Sequence, residues 1–195
     1  MEENEQENNE DMVEEDGIFS YDLKIPKDRI AVLIGKNGEI KKELESITKV
    51  KIEVDSKEGD VNISGTDPIR LYTIRDLVRA IGRGFNPDIA KLLLKQDYSL
   101  EIISLNDYSK EKNHQQRLKG RVIGQDGKSR KTIEDLTNCN INVYGKTIAI
   151  IGRVENIDNC RRAINQLLMG SMHANVFKWL EKQKRLHKDE RYENI

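Results

Sequence analysis

Two glycine pairs with the same spacing are the residues of this chain best suited to binding an anion. They lie in Gly35-Lys36-Asn37-Gly38, the first loop, and Gly124-Gln125-Asp126-Gly127, the second loop. Glycine lets the backbone approach a phosphate without interference from a Cβ atom. Because a helix is predicted to follow each second glycine, its N–H groups and dipole would favour negative charge there. The spacing predicts two loops that bind phosphate through the backbone.

Basic side chains next to both loops would supply the electrostatic part of such a site. A lysine or arginine that contacts a phosphate contributes salt-dependent affinity through counterion release. The candidates are Lys36 and Lys41 at the first loop, and Arg121, Lys128 and Arg130 at the second. Lys42 and Lys131 have a simpler explanation, since a solvated lysine on a helix face needs no ligand. Asp126 repels phosphate, although Lys128 and Arg130 can offset its charge.

Positions around the loops could also form a groove that accepts nucleobases. We expect Ile34 and Ile123, which directly precede the loops, to line it. Further candidates are Ala31 and Lys51 near the first loop, and Gly120 and Asn140 near the second. The apolar members of this set could equally be ordinary core residues.

The two loops belong to a longer internal repeat. Shifting the sequence by 89 positions aligns residues 29–54 with residues 118–143. The residues of the first copy that recur unchanged are Ile34, Gly35, Gly38, Lys42, Glu45, Thr48, Ile52 and Val54. Since these identities concentrate at glycines and apolar positions, chance explains them poorly. The sequence therefore predicts a duplicated structural unit.

Each copy is predicted to fold in the order β-α-α-β-β-α, an α+β class with three-stranded sheets packed by helices. Alternating apolar residues predict the strands, and apolar residues at helical spacing predict the helices. In the first copy the strands are expected at 21–25, 50–54 and 61–65, and the helices at 26–33, 39–47 and from 68. In the second copy the strands are expected at 99–103, 141–145 and 147–151, and the last helix at 154–169. A longer polar connection at 106–116 is expected before the helix that leads into the second loop.

The net charge of −1 conceals an acidic N-terminal segment. Residues 1–16 hold nine acidic and no basic residues, which leaves a formal charge of +8 for residues 17–195. This surplus could be ordinary surface charge that keeps the protein in solution. Residues 1–17 are too polar to bury much apolar surface, so we expect a disordered tail. The first unit is then expected at 18–84, a linker helix at 85–96, the second unit at 97–170, and a C-terminal helix and tail at 171–195.

The two segments outside the repeat have apolar faces that need partners. In the linker helix these are Ile89, Leu92 and Leu93, expected to pack on one or both units. In the C-terminal helix, Val176, Phe177 and Leu180 are expected to dock on the second unit. Trp179 could stack on a base, but packing is the commoner use of a large aromatic side chain on a terminal helix.

Composition excludes several kinds of site. No apolar stretch reaches the roughly 20 residues that span a bilayer, and the acidic N-terminus is unlike a secretory signal. Cys139 and Cys160 are too few for a disulfide framework, which favours a reducing, cytoplasmic location and buried thiols. His114, His173 and His187 are scattered, so neither a metal site nor a cofactor is expected.

An enzyme is not expected either. The tripeptide Gly127-Lys128-Ser129 matches the end of a P-loop, but Val122 stands where that motif requires its first glycine. A helix is also predicted before this loop, where a P-loop follows a strand. The remaining classes are binding proteins.

The helix–loop–helix context resembles the KH fold, in which a Gly-x-x-Gly loop clamps the backbone of four nucleotides. The segment IPKDRIAVLIGKNGEIKKELESITKVKIEV, at residues 25–54, carries the resemblance, and its repeat carries it again. The resemblance implies two tandem type I KH domains that bind single-stranded RNA. The RNA-binding residues would be the eight loop residues with Ile34, Lys41, Arg121, Ile123, Lys128 and Arg130.

A narrower resemblance covers roughly residues 21–184. The motifs GRVIG, GKSRKTIEDLT and VYGKTIAIIG, with GSMHANVFKWLEK at 170–182, are similar to the ribosomal-RNA-processing KH proteins called Krr and partner-of-Nob and to their archaeal relatives. The eukaryotic members usually have a degraded first loop, so the intact residues 35–38 favour the archaeal branch. The resemblance implies small-subunit ribosome biogenesis and binding near the 3′ end of 16S ribosomal RNA. It also implies partners, including the α subunit of translation initiation factor two and other pre-ribosomal proteins.

Two other hypotheses for the function stay open at this point. A KH protein of this kind could bind messenger RNA or exosome substrates. It could also be a protein-interaction scaffold with weak RNA affinity, because a fold alone does not determine function.

Overall fold

The computed structural model describes residues 12–15 and 17–193, and the side chains of 12–14 and 17–186. The chain divides into two compact units, Met1–Leu94 and Lys95–Ile195. Each unit contains an antiparallel sheet with helices packed on it, so the α+β class and the two KH-type units are confirmed. None of the described helices is long and apolar enough to cross a membrane.

The first unit has four strands, β1 (Val13–Glu15), β2 (Ile18–Lys24), β3 (Lys51–Val54) and β4 (Asp60–Gly65). They form one sheet in the order β1-β2-β4-β3. Tyr21 pairs with Ile63, and Leu23 with Val61, so that alternate residues turn one apolar face inward. This face is the floor on which the helices pack.

Three helices cover that floor. They are α1 (Lys27–Ile34), α2 (Glu39–Thr48) and α3 (Pro68–Gly82). Asp67 caps α3 by accepting from the N–H groups of Ile69 and Arg70, and Pro68 occupies its first position, as the sequence predicts. Helix α1 starts one residue after Pro26, which is its N-cap.

Strand β1 corrects the expectation of a disordered tail through residue 17. Val13 pairs with Ser20, and Glu15 with Ile18, in antiparallel register. The backbone of residues 13–15 therefore adds an edge strand to the sheet, because main-chain hydrogen bonds do not depend on side-chain polarity. The rest of the predicted tail, at 1–11 and 16, lies outside the described residues.

The predicted linker helix is two shorter elements. Helix α4 (Pro87–Ala90), capped by Asn86, continues into a 3₁₀ turn at Lys91–Leu94. Both pack on α3 of the first unit, with Ala90 and Leu93 buried and Ile89 and Leu92 half-buried. The apolar face thus has its partner within the first unit.

The second unit repeats this plan with a three-stranded sheet in the order β5-β7-β6. The strands are β5 (Tyr98–Ser104), β6 (Asn140–Tyr144) and β7 (Thr147–Arg153). The helices are α5 (Lys112–Ile123), α6 (Lys128–Thr137) and α7 (Val154–Leu168). Helix α7 packs on β5 and β7 and closes the core over α5 and α6.

The predicted polar connection at 106–116 is too long, because helix α5 begins within it. A 3₁₀ turn at Leu105–Asp107 follows β5, and α5 already begins at Lys112. The polar sequence hid this first turn, where Gln115 is buried and donates to Asn106 Oδ1 and the Ser109 carbonyl. A buried glutamine satisfied in this way is compatible with a helix that lacks an apolar stripe.

The C-terminal helix α8 (His173–Glu193) is part of the second unit. Val176 and Leu180 are buried in its core, with Phe177 and Trp179 packed against them at the edge. The docking prediction is confirmed, and Trp179 is a packing group. Cys139 and Cys160 are buried in the same core, where their mutual hydrogen bond and burial raise the pKa of Cys160.

Candidate nucleic-acid interface

The first loop has a backbone that only certain residues can adopt. Gly35 has φ 74° and ψ 177°, Asn37 φ 53°, and Gly38 φ 78°. A Cβ atom on Gly35 would stand 2.5 Å from Ile40 Cγ1 and 2.9 Å from the Ile40 nitrogen. Gly35 is therefore required both by its conformation and by the close approach of α2.

The second loop repeats this geometry. Gly124 has φ 72° and ψ 177°, Asp126 φ 53°, and Gly127 φ 75°. A Cβ atom on Gly124 would stand 2.6 Å from Ser129 Cβ and 2.8 Å from its nitrogen. In both loops the second glycine donates to the carbonyl of the first, at 3.2 Å and 3.3 Å. The duplication extends to individual torsion angles.

These torsions explain why an aspartate, Asp126, stands in the second loop. Its position and that of Asn37 are left-handed, a conformation that asparagine and aspartate adopt more readily than other side-chain-bearing residues. Asp126 thus suits the left-handed backbone, although its negative charge would repel a phosphate. The side chain is exposed, as is that of Asn37.

The helices that follow the loops begin without a side-chain cap. Gly38 precedes α2 and Gly127 precedes α6, and neither helix start receives a side-chain hydrogen bond. The first N–H groups of a helix lack partners within it. In the 3₁₀ turn of each loop, however, the Glu39 N–H donates to the Lys36 carbonyl and the Lys128 N–H to the Gln125 carbonyl. The helix dipole still favours negative charge beside each loop.

The predicted basic residues divide into two kinds. Lys36 and Lys128 are exposed, as is Gln125, and all three project from the loops or the helix starts. Lys41 Nζ lies 3.9 Å from Glu45 Oε1, and Arg130 Nε lies 3.8 Å from Glu134 Oε2. These two ion pairs occupy equivalent positions in the two copies. In each pair the glutamate partly offsets the positive charge of the lysine or arginine.

Both glutamates also hold the neighbouring strand. Glu45 accepts from the Ile52 N–H at 2.9 Å, and Glu134 accepts from the Ile141 N–H at 2.7 Å. Each carboxylate joins the helix after the loop to the edge strand of the sheet. This bridge sets the distance between the two walls of the expected groove.

Arg121 was predicted to contact an RNA phosphate, but its guanidinium donates to backbone carbonyls of the protein. Its Nε donates to the Leu167 carbonyl at 2.8 Å and its Nη2 to the Ser171 carbonyl at 2.5 Å. Its own carbonyl lies 2.7 Å from His173 Nε2. Arg121 therefore fastens the end of α5 to the α7–α8 junction, and its guanidinium belongs to the framework in place of the phosphate site.

Arg29 makes the corresponding bonds in the first unit, to the carbonyls of Ile81 at 2.9 Å and Phe85 at 2.6 Å. Sequence reasoning overlooked this parallel, because Arg29 aligns with Leu118, one helical turn before Arg121. The two arginines lie one helical turn apart in the alignment, yet each donates to carbonyls at and just after the end of the third helix of its unit. The only sequence signal for this parallel was that the helix before each loop contains an arginine.

The groove candidates lie at the surface. Ile34 and Ile123 are half-buried beside their loops, Ala31 and Gly120 are exposed, and Asn140 is half-buried on β6. Lys51 is exposed on β3. The positions are thus accessible to a ligand, and the alternative of ordinary core does not describe them.

A pocket of about 620 Å³ adjoins the second loop. It is formed by Asp126 and Gly127, by one face of α6 as far as Asp135, and by Asn138, Cys139 and Asn140 at the start of β6. Of the groove residues predicted from sequence, Asn140 lines it, whereas Gly120 and Ile123 do not. Asn138 was missed, since it lies in the turn between α6 and β6. No group of three or more His, Cys, Asp or Glu residues in the described part of the chain is arranged to hold a metal ion.

Two exposed loops with this geometry, each in a β-α-α-β-β-α unit, define a KH-domain protein. The family described as KH domain matches residues 20–80, and the eukaryotic type KH domain, type I, matches residues 99–185. The KH domain-containing protein MJ0443 of Methanocaldococcus jannaschii is 49% identical over 175 residues, which cover 88% of this chain and 77% of that protein. The chain belongs to the KH-domain protein family that contains MJ0443 and the Dim2 and pno1 proteins.

The relatives include Dim2 and pno1 proteins, so the Krr and partner-of-Nob names given by the sequence resemblance are not exact. RNA-binding protein pno1 of Drosophila melanogaster is 36% identical over 66% of this chain, and pre-rRNA-processing protein pno1 of Emericella nidulans 30% over 69%. The chain spans little more than half of these two, 55% and 54% of their lengths. The crystal structure of the a/eIF2alpha–aDim2p–rRNA complex of Pyrococcus horikoshii contains a chain that is 45% identical, with a TM-score of 0.81 over 86% of this chain and 95% of that one.

Proposed function

We propose that this protein binds single-stranded RNA through its two Gly-x-x-Gly loops and acts in small-subunit ribosome biogenesis. The observation that carries the proposal is the duplicated loop backbone, which leaves two uncapped helix starts open to solvent beside exposed side chains. Such a surface suits a phosphodiester chain, which the main-chain amides can bind without reading its sequence.

The ribosomal target is supported by the family. A Dim2 protein with 45% identity forms a complex with rRNA, and a pno1 relative is a pre-rRNA-processing protein. We infer that this chain binds near the 3′ end of 16S ribosomal RNA, as the resemblance in its motifs implies. We also propose the cytoplasmic location that is expected from the sequence.

The same complex supports a protein partner. Because the related Dim2 protein assembles with the α subunit of initiation factor two, we infer that this chain binds that subunit and other pre-ribosomal proteins. The proposed role is binding and positioning of RNA, without catalysis. Messenger RNA and exosome substrates have no comparable support.

Binding of defined oligonucleotides tests the proposal. A single-stranded RNA with the sequence of the 16S 3′ end should bind the full-length protein at least tenfold more tightly than the same sequence in a duplex. The reason is that a loop between two helices can accept splayed bases, which a duplex does not offer. Fluorescence anisotropy at fixed salt gives both affinities. Equal affinity for single strand and duplex would contradict the proposal.

A further inference from the structure

The two units place different charges at equivalent positions of the groove. The charged residues lining the pocket of the second unit are Asp126, Arg130, Lys131, Glu134 and Asp135. A shift of 89 positions gives their counterparts in the first unit, which are Asn37, Lys41, Lys42, Glu45 and Ser46. Two acidic side chains of the second unit are thus neutral in the first.

The difference grows at the start of the edge strand. Asn138 and Asn140 line the pocket in the second unit, whereas Lys49 and Lys51 occupy these positions in the first and are exposed. Over the equivalent set the first unit has four lysines and one glutamate, a charge of +3. The second has two basic and three acidic residues, a charge of −1.

Neighbouring charges reduce this difference without removing it. At the loops Lys36 and Glu39 offset each other in the first unit, while Lys128 raises the second unit from −1 to zero. Lys51 Nζ lies 2.6 Å from Glu53, but both side chains are more than half exposed. An exposed pair of this kind is weak, so Lys51 is free to exchange Glu53 for another anion.

Lys49 and Asn138 are the left-handed residues that end α2 and α6, a common conformation at the C-terminus of a helix. Lys49 has φ 59°, a left-handed conformation that costs a residue with an ordinary side chain about 1 kcal/mol. Asn138 has φ 53° at the equivalent position, and asparagine tolerates this region better. The first unit thus keeps a strained lysine where the second has the residue that the backbone prefers.

We propose that the two units divide the work of RNA recognition: the first holds phosphates through Lys49 and Lys51, and the second binds a nucleobase through Asn138 and Asn140. This division rests on the proposed function. Lysine contacts to phosphate give affinity that falls with salt and carries little sequence information. An amide side chain can both donate to and accept from a base edge, which gives sequence discrimination. A pocket of about 620 Å³ is within the size range of small-ligand sites.

An exchange of residues between the units tests this division in the full-length protein. The first variant carries Lys49→Asn and Lys51→Asn, and the second carries Asn138→Lys and Asn140→Lys. Lys49 and Asn138 share a left-handed backbone, and Lys51 and Asn140 begin equivalent edge strands. Both variants should therefore fold, which thermal unfolding verifies. The probe is a single-stranded oligonucleotide with the 16S 3′-end sequence, compared with a scrambled one, over a range of salt concentrations.

The variants should respond in opposite ways. For the first, the slope of log K against log salt should fall by about 1.4, two single-strand phosphate contacts at about 0.7 each, with discrimination against the scrambled sequence kept. For the second, the slope should rise by a similar amount and discrimination should fall severalfold. A matched control, Lys27→Asn with Lys112→Asn, removes two exposed lysines at the far ends of α1 and α5, and should leave slope and discrimination unchanged.

Each other outcome has a defined meaning. If Lys49→Asn with Lys51→Asn leaves the salt slope unchanged, or changes it no more than the control does, the division is wrong although RNA binding stands. If the Asn138 and Asn140 variant keeps full discrimination, the second half of the division is wrong. If the unaltered protein binds neither oligonucleotide, the proposed function itself fails.

Discussion

At the scale of single residues, the loops show how backbone requirements and charge compete. Gly35 and Gly124 are fixed by positive φ and by contact with the helix that follows. Asn37 and Asp126 share a left-handed conformation, but only Asp126 adds a negative charge beside the proposed phosphate site. The second loop therefore carries a charge that its backbone does not need.

Asp126→Asn should strengthen RNA binding without changing stability. Asparagine tolerates the same φ, and removal of a charge about 4 Å from a phosphate is worth about 1 kcal/mol in water, or roughly fivefold in affinity. Anisotropy with the 16S 3′-end oligonucleotide and thermal unfolding measure the two effects. Asn37→Asp in the first loop is the matched reverse change and should weaken binding. If Asp126→Asn left affinity unchanged in low salt, the second loop would lie away from the RNA.

The sequence predicted the loop residues correctly as an exposed pair of glycine bends, but it misjudged Arg121. A glycine motif is a local signal, whereas the partners of Arg121 are carbonyls 46 and 50 residues further along the chain. Nothing in the neighbouring sequence distinguishes an arginine that binds a phosphate from one that binds the end of a distant helix. Asn138 was missed for the same reason, since its place in the pocket depends on how β6 meets α6.

At the scale of elements, each unit is closed by a segment that follows its last helix. In the first unit, Phe85 accepts from Arg29, and Lys91 donates to Glu43 of α2 at 2.7 Å. In the second unit, His173 contacts the end of α5, and Lys184 donates to the Asp135 carbonyl of α6 at 2.8 Å. The two helices that flank each loop are thus held by the segment that follows the third helix of the unit.

The sequence predicted these closing segments as amphipathic helices, with mixed success. Helix α8 forms because Val176 and Leu180 repeat at helical spacing over a long segment. The linker breaks into α4 and a 3₁₀ turn, since only Ala90 and Leu93 are buried and a longer regular stripe is absent from residues 86–95. Short segments with so little burial have no strong period to predict from.

Arg121→Ala should destabilise the second unit by about 2 kcal/mol or more, because hydrogen bonds from a charged donor contribute about 1.5–3 kcal/mol each and two carbonyls lose their donor. Guanidinium unfolding, compared with Arg29→Ala as the parallel change in the first unit, measures this. Arg121→Lys should recover only part of the loss, since lysine lacks the planar fork. A stable Arg121→Ala protein with much weaker RNA binding would restore Arg121 to the phosphate site.

At the scale of the whole molecule, charge is unevenly distributed along the chain. Residues 1–16 carry nine acidic side chains, and residues 17–195 carry a formal charge of +8. An acidic segment tethered to a basic protein competes with RNA for the same lysines, at an effective concentration set by its length. Residues 13–15 belong to strand β1, so a test of this competition changes only residues before it.

Deletion of residues 2–11 should increase affinity for RNA of unrelated sequence in low salt. The change removes six acidic side chains and leaves β1 in place. The gain should disappear near 1 M salt, where charges are screened over about 3 Å. A full-length variant with these six residues changed to glutamine or asparagine is the control and should behave like the deletion. If the deletion alone raised affinity, tail length and not charge would be responsible.

The proposed function requires the backbone of residues 35–38 and 124–127 to contact the RNA. Amide chemical shifts, followed by NMR as a single-stranded 16S 3′-end oligonucleotide is added, test it most directly. The largest changes are expected at Lys36 to Ile40 and at Gln125 to Ser129, with weaker effects along β3 and β6. Saturated binding that leaves both loops unshifted and perturbs only residues elsewhere would contradict it.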